Sequence, residues 1–214
     1  MRRVIAGSVL AGGLLIAATV QGSDGRPTCT QVARKSVVVA ASTEVLVYRR
    51  RTNDVTVTYY ACHLRSRRIT TVGDAYDEPS NPIEIPDGRS AAVNGHIVGF
   101  AKTSCDRYGG CSTDAWAFDA HTGHRTARLK ADFFGGFGQV ATTSSGHVVI
   151  TFTSPSIVVG DHSSTSFVLT DDGRKVRTLA QGADVDDASL ASNGNRVYWT
   201  AGGRPQSAYL TMNK

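Results

Sequence analysis

Asp161 and His162 stand side by side in the polar run Gly160-Asp161-His162-Ser163-Ser164, and Asp184 follows further on. A histidine steadied by a carboxylate can activate a serine for hydrolysis. No Gly-x-Ser-x-Gly turn is present to offer that serine, so no catalytic residue is assigned. Cys29, Cys62, Cys105 and Cys111, with His63, His96 or His121, supply zinc-binding types. They lack the paired Cys-x-x-Cys spacing that a structural zinc site uses. Asp184-Val185-Asp186-Asp187 resembles half a calcium loop, but Ser189 and Asn195 fall where the loop glycine and closing glutamate belong. No metal and no cofactor is therefore expected. His96 and His147 each follow a glycine turn at matching places, which points to hairpin geometry rather than ligation.

Two other groups suit binding. Between residues 34 and 68, Arg34, Lys35, Arg49, Arg50, Arg51, Arg65, Arg67 and Arg68 face only Glu44 and Asp54, a local charge of +6. Strand ends and turns would gather these on one rim, a surface for an anionic envelope component. No aromatic side chains interleave with the arginines, so a specific nucleic-acid partner is not expected. The competing reading is that they protect strand edges. Phe133, Phe134 and Phe137 alternate with Gly135, Gly136 and Gly138. They fit an exposed loop for a protein or carbohydrate, or a buried plug between repeats. No Gly-Lys-Ser/Thr follows, which excludes a phosphate cradle.

The elements that must hold these groups begin with an export signal. Met1-Arg2-Arg3 precedes an uncharged stretch from Val4 to Val20 and a small-residue exit at Gly22. Residues 1–22 are read as a signal peptide, 23–28 as a linker and 29–214 as one domain. Removing Arg2 and Arg3 takes the net charge from +5 to +3. No second apolar run of that length occurs, so no transmembrane segment is expected after cleavage. The expected location is secreted or cell envelope. Four cysteines in an oxidising compartment suggest two disulfides. Cys105 and Cys111 enclose a short turn and are paired, which leaves Cys29 with Cys62.

The remainder reads as β-strands. Val, Thr, Ile, Tyr and Phe dominate short runs bounded by Gly, Asn and Asp turns. Three sets of four strands and one of three are expected, starting at Ser36, Ser90, Gln139 and Ala188. Asn94-Gly95, Ser145-Gly146 and Asn193-Gly194 each lead into a similar strand, at spacings of 51 and 48 residues. A period near 50 with four strands marks a propeller blade. The expectation is an all-β, β-propeller-like fold of about four four-stranded blades. A two-sheet β-sandwich is the alternative. Residues Cys29 to Arg34 would supply the fourth strand of the last blade.

The turn Asp119-Ala120-His121-Thr122-Gly123, and the ending Val197-Tyr198-Trp199-Thr200 with Pro205 and Ser207, resemble bacterial extracytoplasmic β-propeller repeats of the TolB-like and quinoprotein-like kind. The resemblance runs over about residues 30–213 and implies blade geometry rather than a shared chemistry. The expected function is a noncatalytic exported protein that binds a protein or envelope component. The alternative is a secreted hydrolase or lyase with its site on loops of one propeller face. Oligomeric state is not legible.

Overall fold

The computed structural model describes residues 29–34, 36–53, 56–76, 90–105, 110–156, 163–171 and 175–211. The expected signal and linker lie outside them, as do Asp161 and His162. The described chain is almost all strand. The first sheet holds β1 (Val37–Ala41), β2 (Val45–Arg51), β3 (Thr56–His63) and β4 (Arg68–Tyr76). The second holds β5 (Ala91–Asn94), β6 (Ile97–Cys105), β7 (Gly110–Asp119) and β8 (Arg125–Phe134). The third holds β9 (Gly136–Thr142), β10 (Val148–Pro155), β11 (Ser164–Asp171) and β12 (Val176–Gly182). The fourth is β13 (Val185–Asn193), β14 (Arg196–Ala201) and β15 (Arg204–Tyr209). Each is an antiparallel meander in chain order. Four separate sheets exclude the sandwich alternative and give a propeller-like architecture.

Three cores lie between successive sheets. Val45, Val47, Val57 and Tyr59 meet Val98, Phe100 and Phe118 between the first and second. Leu129 and Phe133 meet Val148, Ile150 and Phe152 between the second and third. Val149 and Val168 meet Leu190, Val197 and Trp199 between the third and fourth. A middle sheet is therefore covered on both faces. That explains the unbroken run Val148-Val149-Ile150, whose neighbours must point into different cores. The end sheet keeps an alternation along Arg196–Trp199, exposed then buried.

The first hairpin turn of each sheet converges on one place. Asn94 Nδ2 donates to Thr142 O at 3.1 Å and to Gly194 O at 2.9 Å, tying the second sheet to the third and fourth. Ser42 Oγ donates to Gly95 O at 2.7 Å, and Ser144 N to Gly194 O at 2.9 Å. Gly95, Gly146 and Gly194 all take positive φ, which the tight turns require.

One expectation about closure is corrected. Cys29–Ala33 forms a short helix, α1, not a fourth strand for the last sheet. It packs on the first sheet with Leu46, Tyr48, Tyr60 and Ile69 beneath it. Five residues are too few to hold a helix in water alone. The Cys29–Cys62 disulfide anchors it, with a Cα–Cα separation of 5.6 Å. Cys111 is also disulfide-bonded, and the ladder sets the Cα of Cys105 directly opposite it. These cysteines have no thiolate left for zinc.

Candidate functional site

The pairing register divides the arginine cluster. Val45 lies opposite His63, and Arg51 opposite Val57. Arg49, Arg50 and Arg51 thus stand at one end of the first sheet. Arg65, Arg67 and Arg68 stand at the β3–β4 turn, at the other end. The rise along β2 separates the ends by about 20 Å. The expected single rim is therefore two groups. Arg49 and Arg51 share one face of β2, and Arg50 the other, because strand side chains alternate. The adjoining turn is fixed by Asn53 Oδ1, which accepts the Thr56 N–H at 2.7 Å.

Arg68 joins sheets rather than standing alone. Its Nη1 donates to His121 O at 3.2 Å, beside the His63–His121 ring contact at 5.0 Å. His63 Nδ1 accepts the Ser66 N–H at 3.2 Å, so its proton sits on Nε2. Along the same seam, His96 Nδ1 lies 3.5 Å from Glu44 Oε2, and His96 Nε2 lies 4.0 Å from Asp119 Oδ2. Asp119 Oδ1 accepts the N–H groups of His121 at 2.7 Å and Thr122 at 3.2 Å. Burial pushes the Asp119 carboxyl up, but those two N–H bonds and the charge of protonated His96 outweigh it. The carboxyl therefore titrates below the ordinary aspartate value. Its contribution to stability is full above that ordinary value and is lost as pH falls through the folded value. Asp119→Asn is expected to flatten the acid limb of the stability curve below about pH 4. Urea midpoints at neutral and acid pH check this; parallel curves for the two proteins would contradict it.

The aromatic–glycine segment is not a loop. β8 runs through Phe134, β9 begins at Gly136, and Gly135 alone turns the chain with φ 118°. Phe133 is buried and stacks on Phe152 at 4.4 Å, which stacks on Phe167 at 4.9 Å. Phe137 is half-buried against the same core. These rings are a plug between the second and third sheets, which removes Phe133 as a surface contact. Phe134 keeps half its surface open to solvent.

A recess of about 380 Å³ opens between the second and third sheets, lined by Arg125, Thr126, Ala127, Arg128, Asp171 and Lys175 with Val176. The sequence reading missed it, because β8 and the β11–β12 end bring its members together from distant positions. Arg128 Nε and Nη2 both donate to the Asp114 carboxylate, the Nε bond at 2.9 Å. That fork pushes the guanidinium further above its already high range. The Arg125 guanidinium carbon lies 5.4 Å from the Trp116 ring centroid, a cation–π contact. Asp171 is buried and turns Oδ2 to the backbone N–H of Arg128 at 2.8 Å. Its carbonyl accepts from His147 Nδ1 at 2.7 Å, which assigns that nitrogen the proton. His147 is thus a buried peg in the third sheet, while His96 lies on the seam; the shared sequence position does not give a shared role.

Asp186 and Asp187 lie within β13. Asp187 Oδ2 accepts from Thr153 Oγ1 at 2.8 Å, joining the third and fourth sheets. No group of three metal-ligating side chains occurs among the described residues. No helix among them is long and apolar enough to cross a membrane. That and the disulfide are compatible with an extracellular location.

No protein-family model matches the chain, and no curated protein is similar to it in sequence. Among solved structures it is similar to the β-propeller domain of the Trilobed protease from Pyrococcus furiosus, at 10% identity and a TM-score of 0.47. The match covers 78% of this chain and 49% of that one. It is also similar to Pyrococcus horikoshii acylaminoacyl peptidase, at 10% identity and a TM-score of 0.44, over 74% of this chain and 26% of that one.

Proposed function

We propose that this chain is an exported, noncatalytic β-propeller-like protein that binds an anionic envelope component through the Arg49–Arg51 end of the first sheet. One observation carries the reading: three consecutive arginines end a strand whose inner half is locked into the core. Their backbone is fixed, so a partner need not order it. The resemblance to TolB-like and quinoprotein-like extracytoplasmic repeats supports an envelope setting. The disulfide supports an oxidising compartment.

The test is retention of the oxidised protein on isolated envelope fractions across a salt series. Retention is expected at low salt and should fall as salt rises, because ions screen exposed charge. The triple variant Arg49→Gln, Arg50→Gln, Arg51→Gln should lose most of it. Absence of retention at every salt, or equal retention by the variant, would refute the proposal and leave these arginines as edge protection.

A further inference from the structure

We propose that this chain forms a twofold dimer in which the outer edge of β15 pairs antiparallel with the β15 edge of a second copy. The contact is separate from the Arg49–Arg51 surface and does not depend on it.

The fourth sheet has three strands where the others have four, and β15 is its last. The hydrogen-bond phase against β14 decides which backbone groups face outward. The Leu210 N–H donates to Asn195 O at 2.8 Å, while Arg196 lies opposite Tyr209, Tyr198 opposite Ser207 and Thr200 opposite Pro205. Bonded and unbonded pairs alternate in an antiparallel ladder, so Pro205, Ser207 and Tyr209 turn away from β14. Pro205 suits that place because it has no N–H to offer. Ser207 and Tyr209 each present one donor and one acceptor, and among the described residues no strand pairs with them.

Charge leaves this edge open to its own copy. Edge strands are commonly guarded by charged side chains. β4 carries Arg68 and Asp74, and β8 carries Arg125, Arg128 and Lys130. Pro205-Gln206-Ser207-Ala208-Tyr209 carries none, and Arg204 guards only the start of β15. The open stretch is self-complementary. Setting Ser207 against Tyr209 of the second copy, and Tyr209 against its Ser207, uses every outward group of both residues in four N–H···O=C bonds. The two Arg204 side chains then fall at opposite ends of the paired strands, so no like charges meet. The side chains agree with this register. Ser207 and Tyr209 share a face with Tyr198, away from the buried Val197 and Trp199. Tyr198 and Tyr209 are large hydrophobic side chains left 38% and 63% exposed. In the dimer Tyr209 of one copy stands beside Ser207 of the other, with Tyr198 on the next strand. Serine is small enough for the two rings to meet above it, on both sides of the axis. The twofold contact closes on itself, and each fourth sheet gains the fourth strand it lacks.

The test is sedimentation of the oxidised protein over a concentration series, with amide hydrogen exchange at both ends of it. A monomer–dimer equilibrium is expected, with the Ser207 and Tyr209 N–H groups protected in the dimer and exchanging freely on dilution. Ser207→Pro removes an outward donor and spares the β14 ladder, as Pro205 does two residues earlier. It should weaken the dimer by about tenfold or more, the loss of two backbone bonds per dimer. Tyr209→Lys keeps the backbone and replaces the ring with a charge, and should also weaken it. Far-UV circular dichroism establishes that each variant is folded. A monomer at every concentration, or a dimer of unchanged strength in either folded variant, would overturn the proposal. Protection of both N–H groups in the monomer would overturn it as well, because a segment of the same chain would then hold the edge.

Discussion

Replacing Phe100 with alanine is expected to cost about 3–5 kcal/mol of folding stability. Its side chain is fully buried, at 0% exposure, between the first and second sheets. Tyr59 of the first sheet lies 4.8 Å away ring to ring, and Trp116 of the second 5.0 Å. Both contacts are tilted, as aromatic pairs prefer. Trp116 is itself tied across the interface, donating from Nε1 to Val72 O at 3.1 Å. Gly73 closes the space: a Cβ there would fall 2.8 Å from the Phe100 and Trp116 rings. The opposite wall is backbone already in contact, so it cannot collapse into the cavity that alanine leaves. The cost should therefore sit high in the range for such truncations. Phe100→Leu fills most of the volume and should cost less than half as much. Urea unfolding of the oxidised proteins measures both. A loss below about 1 kcal/mol for alanine would mean that the first two sheets are not held together here.

The strands were legible because their signals are local. Turn glycines, Asn-Gly pairs and β-branched runs act within a few residues, and every expected strand from Ser36 onward has a counterpart, while the strand expected at Cys29 to Arg34 is a helix. Boundaries failed where a local signal competed with a distant one. Gly135-Gly136-Phe137-Gly138 reads as a break, yet only Gly135 leaves the strands, because Phe133 and Phe137 are drawn into the core between two sheets. Residues 29–33 are too few to show a helical period, and what makes them a helix is the first sheet beneath and the bond to Cys62. The sequence names Asn94 as a turn residue but cannot show that its amide reaches two other sheets.

Sites were less legible than strands for the same reason. Charge density along the chain pointed to Arg49–Arg51 and Arg65–Arg68 as one group, but register places them at opposite ends of a sheet. The recess went unseen because Arg125, Arg128 and Lys175 are unremarkable in sequence and meet only when the second sheet packs on the third. A surface made by one strand can be read from its residues. A surface made by two sheets needs the register of both.

The largest effect away from the inter-sheet cores is expected at the Cys29–Cys62 bond. The half-cystines are 33 residues apart, and closing a loop of that length removes about 3–4 kcal/mol of chain entropy from the unfolded state. Cys62 is 2% exposed, so the bond enters the outer face of the first sheet. Reductant is a poor probe, because it would also open the disulfide at Cys111. The double variant Cys29→Ala, Cys62→Ala removes one bond alone. It should lower the unfolding free energy by about 3–4 kcal/mol, a large part of the usual 5–15 kcal/mol of a domain. Without the tether α1 has too few residues to persist, and Tyr48 and Tyr60 lose their cover. Protease should then cut between α1 and β1 while the four sheets stay folded. If the variant unfolds at the same urea concentration and resists cleavage, packing alone holds α1, and the bond does not staple the first sheet.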